Sequence, residues 1–312
     1  MAIRVLILSP SDDTGAVGIS IKGAFDRHSE DILVRAVRNT DNYARHPFDI
    51  QNWYNNKAMV NALYEKADIV HWMEKFDGEQ TLWNRDYYKP IILHHHGTLL
   101  RENPAYYRTG VERRAIQLAS TVDLLRWGKD IRWLPNPYNN EWLKSFREPG
   151  FSGRSVLELF HSPTNRAIKG TAELIAATQD SETINLTISE QKPWVENLRL
   201  KGYSDAYYDC PYGLGNNAIE AMGMGIPVIA GLVDSKWASP AVRAKMIEVW
   251  GNLPFIEHTV GDLAEVLQEV TLNEDLRKKY SQIGLDHFKR WHDERQTVKQ
   301  LTGIYNELLQ SR

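Results

Sequence analysis

The sequence has a single cysteine and no long hydrophobic run. Cys210 stands alone among 312 residues, so no internal disulfide can form, and this favours a reducing, cytoplasmic location. No segment approaches the roughly 20 apolar residues that a membrane-spanning helix needs. The N-terminal segment reaches acidic residues after a short apolar run, which predicts a buried first strand and not a signal peptide.

An excess of charge of either sign is also lacking. The chain has 37 Lys and Arg against 40 Asp and Glu, a formal net charge of −3. A dedicated nucleic-acid-binding protein usually has a stronger basic excess, although a local basic groove is compatible with a neutral total. With 42% hydrophobic and 25% charged residues, the composition is typical of a folded protein that is long enough for two domains.

Short apolar runs alternate with longer amphipathic stretches, a pattern typical of βα units around parallel sheets. In the first half of the chain, this pattern predicts strands at Val5–Leu8, Ile32–Ala36, Ile69–Trp72, Ile91–His94, Val122–Leu124 and Ile131–Leu134. It predicts helices there at Ile19–Arg27, Lys57–Lys66 and Gly110–Ala119.

Proline, asparagine and glycine interrupt this alternation in residues 139–152, which we predict to link two domains. The alternation then resumes, with strands predicted at Val156–Phe160, Ile184–Ile188, Ala206–Tyr208 and Val228–Ala230, and helices at Thr171–Thr178, Trp194–Leu200 and Asn217–Met224. The chain from Val260 onward is predicted to be almost wholly helical. The architecture expected is two doubly wound α/β domains with a ligand cleft between them.

The stretch DCPYGLGNNAIEAMGMGIPVIAG, residues 209–231, follows a predicted strand and opens a predicted helix. Its glycines allow a tight turn, and the free N–H groups of the first helical turn attract phosphate. Glu220 lies in apolar surroundings, where a buried carboxylate needs a partner. We expect it to reach the cleft mouth and to accept hydrogen bonds from a sugar diol. A glutamate that only stabilises the helix dipole is the alternative.

A second stretch, HSPTNRAIKG at residues 161–170, places Arg166 and Lys169 between a predicted strand and a predicted helix. Two cations at a helix N-terminus can bind an anion through charge-assisted hydrogen bonds. A solvated surface pair is the alternative interpretation of these residues.

Three histidines, His94, His95 and His96, end a predicted strand, and Gly97 permits a turn after them. Adjacent side chains on a strand alternate between its faces, so the three cannot easily bind one metal ion. We expect one of them to point into the cleft, with core histidines as the alternative for the others.

In their order along nearly the whole chain, these stretches resemble the retaining GT-B glycosyltransferases of the large group 1, family 4-like class. YGLGNNAIEAMGMGIPVIAG is similar to the family signature, in which a Gly-Phe-Gly-like turn precedes a helix with Glu, then Ala-Met, then Gly-x-Pro-Val-Ile. HSPTNRAIKG is similar to its Lys-Gly segment for the donor phosphate. Weaker matches are His96-Gly97, WLPNPYN and the glycine turn at Gly15 and Gly18, which alone is a weak phosphate signal.

The resemblance implies a GT-B fold, in which two Rossmann-like domains enclose a cleft. Residues 1–138 would form the acceptor-side domain, 139–152 the linker, and 153–290 the nucleotide-sugar-binding domain. A C-terminal helix at 291–312 would cross back to the first domain.

The resemblance also implies roles for single residues. Glu220 would bind the ribose, Arg166 and Lys169 would neutralise the leaving diphosphate, and His96 would contact the transferred sugar. The other donor-binding residues would be Gly15, Gly18, Tyr212, Gly213, Leu214, Gly215 and Asn216. Two positions depart from the family pattern, because Tyr212 stands where a second glutamate is usual and Thr164 where an arginine is common.

The function implied is the transfer of a hexosyl or pentosyl group from a UDP- or GDP-linked donor, with retention of configuration and without a metal or other cofactor. The acceptor is open between a glycan, a lipid-linked sugar and a hydroxylated DNA base. Two alternatives are a catalytically silent nucleotide-sugar-binding module, which the Tyr212 departure supports, and a sugar-nucleotide epimerase on the same fold. An epimerase would convert the donor without any acceptor.

Overall fold

The structure is a computed structural model that describes residues 2–9, 16–39, 46–74, 89–105, 115–148, 155–232, 238–259 and 261–310. The chain divides into two units. The first consists of Met1–Pro137 together with Glu294–Arg312, and the second of Tyr138–Asp293. The chain therefore leaves the first unit after Pro137 and returns to it at Glu294.

The described part of the first unit contains a parallel six-stranded sheet with the order β2-β1-β3-β4-β5-β6. Its strands are β1 (Ile3–Ser9), β2 (Ile32–Arg38), β3 (Ile69–Met73), β4 (Ile91–His95), β5 (Ile116–Ala119) and β6 (Ile131–Trp133). Its helices are α1 (Val17–His28), α2 (Lys57–Lys66), α3 (Thr98–Glu102), a 3₁₀ helix (Val122–Trp127) and α11 (Glu294–Gln310).

The helix predicted at Gly110–Ala119 and the strand predicted at Val122–Leu124 are wrong where the structure describes them. Ile116–Ala119 is strand β5, and Val122–Leu124 lies in the 3₁₀ helix. Strand β5 pairs in parallel with β4 and with β6, and its Leu118 and Ala119 are buried in the clusters on opposite faces of the sheet. These tertiary contacts outweigh the helical preference of its Gln, Leu and Ala residues. Residues 110–114 lie outside the described part.

Helix α11 belongs to the core of the first unit. Its Val298, Leu301, Tyr305 and Leu308 recur at three- and four-residue intervals and are buried on one face of the sheet. At its first residue, Glu294 accepts hydrogen bonds from Arg27 and pairs with His28 at the end of α1. The chain's return at Glu294, expected from the resemblance, thus completes the first unit.

The second unit contains a parallel five-stranded sheet in the described residues, with the order β11-β10-β9-β7-β8. Its strands are β7 (Leu157–His161), β8 (Ile184–Ile188), β9 (Ala206–Tyr208), β10 (Val228–Gly231) and β11 (Ile256–His258). Its helices are α4 (Asn140–Lys144), α5 (Thr171–Thr178), α6 (Trp194–Gly202), α7 (Asn216–Gly223), α8 (Pro240–Trp250), α9 (Leu263–Leu272) and α10 (Glu274–Trp291).

Three of these elements were not predicted. Helix α4 lies inside the predicted linker, where the Asn139 side chain caps it by accepting a hydrogen bond from the Trp142 amide at 2.8 Å. Helix α8 and strand β11 follow the last predicted strand. Residues 149–152 of the predicted linker lie outside the described part.

The order in which strands are added to the second sheet reverses at the β7–β9 pair. Strand β8 lies on one side of β7, whereas β9, β10 and β11 lie on the other. In open parallel sheets, ligands bind at the carboxyl ends of the strands beside such a switch point. The two segments that leave this point, residues 162–170 and 209–215, are the ones that the sequence motifs singled out.

Candidate functional site

A lysine–aspartate pair joins the two segments at the switch point. The Lys169 Nζ atom donates to Asp209 Oδ1 at 2.7 Å, and Asp209 Oδ2 accepts a hydrogen bond from the Gly215 amide. Asp209 is completely buried, whereas the Lys169 side chain retains 14% exposure. Asp209 therefore holds the ammonium group beside the first turn of α7. The sequence analysis did not select Asp209, although it is the first residue after β9.

Glycine makes the close approach of Lys169 possible. A Cβ atom at Gly215 would lie 2.8 Å from Lys169 Nζ, which shows that the ammonium group lies against this glycine. A Cβ at Gly170 would lie 2.8 Å from the Pro211 side chain, and this residue has a φ of +64°. The absence of side chains at these two positions thus brings the segments together.

The start of α7 supplies a second attraction for anions. The first N–H groups of a helix lack intrahelical partners and carry the positive end of its dipole. The Lys169 ammonium group lies at this same end of the helix. The ammonium group, although paired with Asp209, and the helix end can both donate hydrogen bonds to a phosphate group.

Arg166, the other predicted cation, is exposed and paired with Glu190. Its Nε and Nη2 atoms donate to the two oxygens of the Glu190 carboxylate at 2.6–3.1 Å. Both side chains of this pair are in contact with solvent, which screens the attraction between their charges. The structure therefore places Arg166 in the segment that contains Lys169, with a carboxylate as its present partner.

Glu220 is buried, with 4% of its surface exposed, and does not lie at an open mouth as expected. Its Oε1 accepts a hydrogen bond from Trp194 Nε1 at 2.7 Å, and its Oε2 pairs with Lys201 Nζ at 2.5 Å. The reason is that most of α7 is buried, including Ala218 and Ala221, while α6 packs beside it. The partner that a buried carboxylate requires is thus supplied by α6.

Sequence analysis missed Lys201 because a lysine in an amphipathic helix is normally solvated. Here the side chain is completely buried. Burial lowers the pKa of Lys201, and the Glu220 carboxylate opposes that effect. The one available signal was the isolated position of Glu220, which called for a cation but did not identify it.

A hydrogen-bond network continues from Lys201 to the segment after β7. Lys201 Nζ donates to the Asn217 carbonyl and to Asn217 Oδ1, which also accepts a hydrogen bond from Asn197. Asn217 Nδ2 donates to the Ser162 carbonyl at 3.1 Å, and Ser162 Oγ donates to Asn197. Such a connected network fixes α6, α7 and the end of β7 relative to one another.

The remaining predicted donor-binding residues of the second unit lie in the turn before α7 and at its start. Tyr212 is partly exposed, and its backbone bridges to Leu232. Gly213 is buried with a φ of +127°, a conformation that favours glycine. Leu214 and Asn216 are partly exposed. The structure thus brings this turn, Lys169 and Asp209 to one edge of the sheet.

Histidines cluster in the first unit near the carboxyl end of β4. The ring of His94 stacks on that of His71 with centroids 5.4 Å apart and lies 4.5 Å from that of His96. His96 Nδ1 lies 3.3 Å from Ser120 Oγ, and His95 hydrogen-bonds Gln117. His94 and His96 share a face of the strand, as the alternation predicted.

The histidine cluster is uncharged at neutral pH. Desolvation lowers the pKa of His71 and of His96 to about 3, and nearby imidazoles add to the effect on His96. His94 is completely buried and its pKa is also lowered by desolvation. Among the described residues, no group of three His, Cys, Asp or Glu side chains is arranged to hold a metal ion.

Of the two glycines in the first glycine turn, the structure describes only Gly18. Gly18 is buried in the first turn of α1, after Ala16, which adopts a left-handed conformation with a φ of 55°. Gly15 lies outside the described residues, so its predicted donor contact stays a prediction.

Comparisons with known proteins agree on the fold. No protein-family model and no curated protein sequence matches the chain. Solved structures, however, are similar to it. One is an α-glucosyltransferase in complex with UDP and a 13-mer DNA containing a HMU base. Its TM-score is 0.71 at 9% identity, and the similarity covers 98% of this chain and 100% of that one.

Two further structures cover 99% of this chain and 100% of their own. Sucrose-phosphate synthase from Thermosynechococcus elongatus has a TM-score of 0.68 at 12% identity. Anabaena HepE in complex with UDP-glucose has a TM-score of 0.66 at 14% identity. In the described part of the chain, no helix has the length and hydrophobicity to cross a membrane. The two parallel sheets and these similarities over the full length confirm that the chain has the GT-B fold.

Proposed function

We propose that this protein is a retaining glycosyltransferase that moves a sugar from a nucleotide-sugar donor to an acceptor hydroxyl. The observation that carries the proposal is the arrangement at the switch point, where Lys169 is held by Asp209 beside the first turn of α7. A helix terminus and a fixed cation together match the diphosphate that leaves in such a transfer. The shared fold with glycosyltransferases adds support by analogy.

In the proposed reaction, the bond between the anomeric carbon and the diphosphate breaks, and a bond from the same carbon to the acceptor oxygen forms on the same face. The departing phosphate oxygen takes the proton of the acceptor hydroxyl. Lys169 and the N–H groups of α7 stabilise the negative charge that develops on the phosphate. Arg166 would assist after exchanging Glu190 for the phosphate.

Glu220 is proposed to bind the ribose of the donor. Both of its oxygens already accept one hydrogen bond, from Trp194 and from Lys201, and an ionised carboxylate has about four acceptor sites. Acceptor sites therefore remain for the two ribose hydroxyls. The role of His96 as a contact of the transferred sugar stays a prediction from the resemblance, as do those of Gly15 and Gly18.

We propose a UDP- or GDP-linked donor and no metal ion, because Lys169 and Arg166 can replace a divalent cation at the diphosphate. Two of the similar structures, the α-glucosyltransferase and HepE, were solved with UDP and with UDP-glucose, which favours UDP for the first trials. For the acceptor, we propose a glycan or a hydroxylated DNA base. The second choice is favoured by the similar α-glucosyltransferase that was solved with DNA containing a HMU base.

The proposal is tested by incubating the purified protein with UDP- and GDP-sugars, with and without glycan and hydroxymethylated-DNA acceptors, in the presence of EDTA. Nucleotide release that depends on an acceptor, with the product in the donor's anomeric configuration, is expected. Conversion of the donor without acceptor would indicate an epimerase. Donor binding without turnover would indicate a silent binding module. A strict need for Mg²⁺ or Mn²⁺ would contradict the metal-independent mechanism.

A further inference from the structure

Lys201 makes a complete set of hydrogen bonds in the interior of the second unit. Its ammonium group has three donors, and the structure gives it three acceptors: Glu220 Oε2, the Asn217 carbonyl at 3.0 Å and Asn217 Oδ1 at 3.1 Å. The side chain has no exposed surface. A completely buried ammonium group is costly unless it is paired in this way.

The two donors to Glu220 come from one helix. Trp194 and Lys201 are seven residues apart in α6, two helical turns, and therefore lie on the same face. Each donates to a different oxygen of the carboxylate. Two donors on one rigid element fix both the position and the rotation of the Glu220 carboxylate.

Packing alone does not require a charged side chain at position 201. Apolar residues of similar volume often replace a buried ion pair without loss of stability. If Glu220 only filled space in α7, neither it nor Lys201 would need its charge. The pair is useful where a carboxylate has to remain ionised and aligned in a desolvated place.

We propose that Lys201 is a positioning residue for ribose recognition, which holds the Glu220 carboxylate in the orientation that accepts the two hydroxyls of the donor ribose. This inference rests on the proposed function, since it takes Glu220 as the ribose-binding group. Trp194 is the second positioning residue, and its indole is held in turn by packing against Trp142 at 4.9 Å between ring centroids.

The test compares the binding of UDP with that of 2′,3′-dideoxy-UDP, which lacks both hydroxyls, by calorimetry. In Lys201→Met, the Glu220 carboxylate loses its counter-charge and one fixed hydrogen-bond donor. We expect UDP affinity to fall on the order of 10- to 100-fold, the equivalent of one charge-assisted hydrogen bond, while dideoxy-UDP affinity stays unchanged. A purely structural role would lower both affinities equally and would overturn the proposal.

Two further variants lie in or next to α6, a control at Lys192 and a weaker perturbation at Trp194. Lys192→Met removes an exposed lysine that pairs with Glu196 near the start of α6, and it should leave the ratio of the two affinities unchanged. Trp194→Phe removes the indole N–H together with part of the ring that packs against Trp142, and it should lower the ratio by less than Lys201→Met does. This second variant also keeps the proposal falsifiable if Lys201→Met fails to fold.

A double-mutant cycle shows whether Lys201 acts through Glu220. In the background of Glu220→Gln, the further change Lys201→Met should not alter the ratio, and this pair leaves no unpaired buried charge. If Glu220→Gln itself leaves the ratio unchanged, then the ribose role of Glu220 is wrong and the inference falls with it. If Glu220→Gln lowers the ratio and Lys201→Met does not, only the role of Lys201 is wrong.

Discussion

Buried polar side chains lie near the carboxyl ends of both parallel sheets, but those beside α7 are charged pairs and those of the histidine cluster are neutral. In the second unit, two lysines meet two carboxylates beside α7, namely Lys169 with Asp209 and Lys201 with Glu220. In the first unit, the corresponding polar groups near β4 are neutral imidazoles that stack on one another. The charges beside α7 are compensated in pairs, and the histidine cluster is uncharged. The first unit also has a charged pair after β4, in which Arg101 donates to both oxygens of Asp123.

This difference agrees with the roles proposed for the two units. A diphosphate requires positive charge and N–H donors, which Lys169 and the first turn of α7 would supply in the proposed reaction. The histidine cluster cannot supply charge at neutral pH, because desolvation lowers the pKa of its members. It is suited to neutral hydroxyl groups, which imidazole can bind as donor or acceptor.

The largest effect is expected from removing Lys169, the partly exposed member of the Lys169–Asp209 pair. Lys169→Met should reduce kcat on the order of 100- to 1,000-fold, since its charge opposes the charge that develops on the leaving phosphate. Donor affinity should fall much less, because the interaction is strongest in the transition state. Steady-state kinetics of nucleotide release with varied donor concentration measure both quantities.

A second variant separates this effect from instability. Lys169→Met alone leaves Asp209 buried without a counter-charge, which costs about 3 kcal/mol of stability. Lys169→Met with Asp209→Asn should restore the melting temperature but not the turnover. Lys278→Met removes an exposed lysine that pairs with Glu274, and it serves as the control. Recovery of turnover in the double variant would show that Lys169 acts only through the fold.

The buried, neutral histidine cluster of the first unit predicts a loss of stability in acid. The pKa of His71 is about 3 in the folded protein and about 6.5 when unfolded, so the unfolded chain binds the proton more readily. The stability that the neutral His71 contributes is fully present above about pH 6.5 and is lost as the pH falls toward 3. At pH 5 the free energy of unfolding should already be about 2 kcal/mol lower than at neutral pH.

His71→Phe keeps a ring against His94 but cannot titrate. The variant loses the contact between His71 Nδ1 and the Tyr305 hydroxyl, so its stability at neutral pH should be lower than that of the unaltered protein. The fall in stability between neutral pH and about pH 5 should nevertheless be shallower. Chemical denaturation at a series of pH values provides the comparison. Parallel pH profiles for the two proteins would contradict a neutral buried His71.

The smallest effect is expected from a single methyl group at the charged edge. Gly215→Ala suits the backbone, whose φ is −101°, but places a Cβ 2.8 Å from Lys169 Nζ. The flexible ammonium group has to move, and kcat should fall roughly tenfold, as for a loss of about 1.4 kcal/mol. Gly303→Ala, where a Cβ meets no atom within 4 Å, is the control. Unchanged kinetics in Gly215→Ala would show that the position of the ammonium group is not critical.

Much of the fold followed from local patterns in the sequence. The strands at Ile184–Ile188 and Ala206–Tyr208 and the helices at Lys57–Lys66 and Thr171–Thr178 have the bounds that were predicted. Apolar runs of strand length bounded by glycine or polar residues suffice for such assignments. The prediction for β5 was wrong because its residues favour a helix, and its pairing with two neighbouring strands makes them extended.

The candidate site was predicted in part. The glycine turn before α7, Lys169 and Arg166 follow the carboxyl ends of β9 and β7, as expected for segments that lie between a strand and a helix. Their charged partners were not foreseen. Neither Asp209 nor Lys201 lies in a pattern that marks a buried ion pair, and Glu190 has the appearance of any surface glutamate.

The sequence by itself determined many of the strands, helices and tight turns, since these depend on the periodicity of apolar residues and on glycine within a few positions. Only the tertiary structure decided which charges meet: Lys169 is 40 residues from Asp209, and Lys201 is 19 residues from Glu220. An ion pair depends on the distance and burial of its two groups. Both quantities are set only when the packing of α6, α7 and the sheet brings the two side chains together.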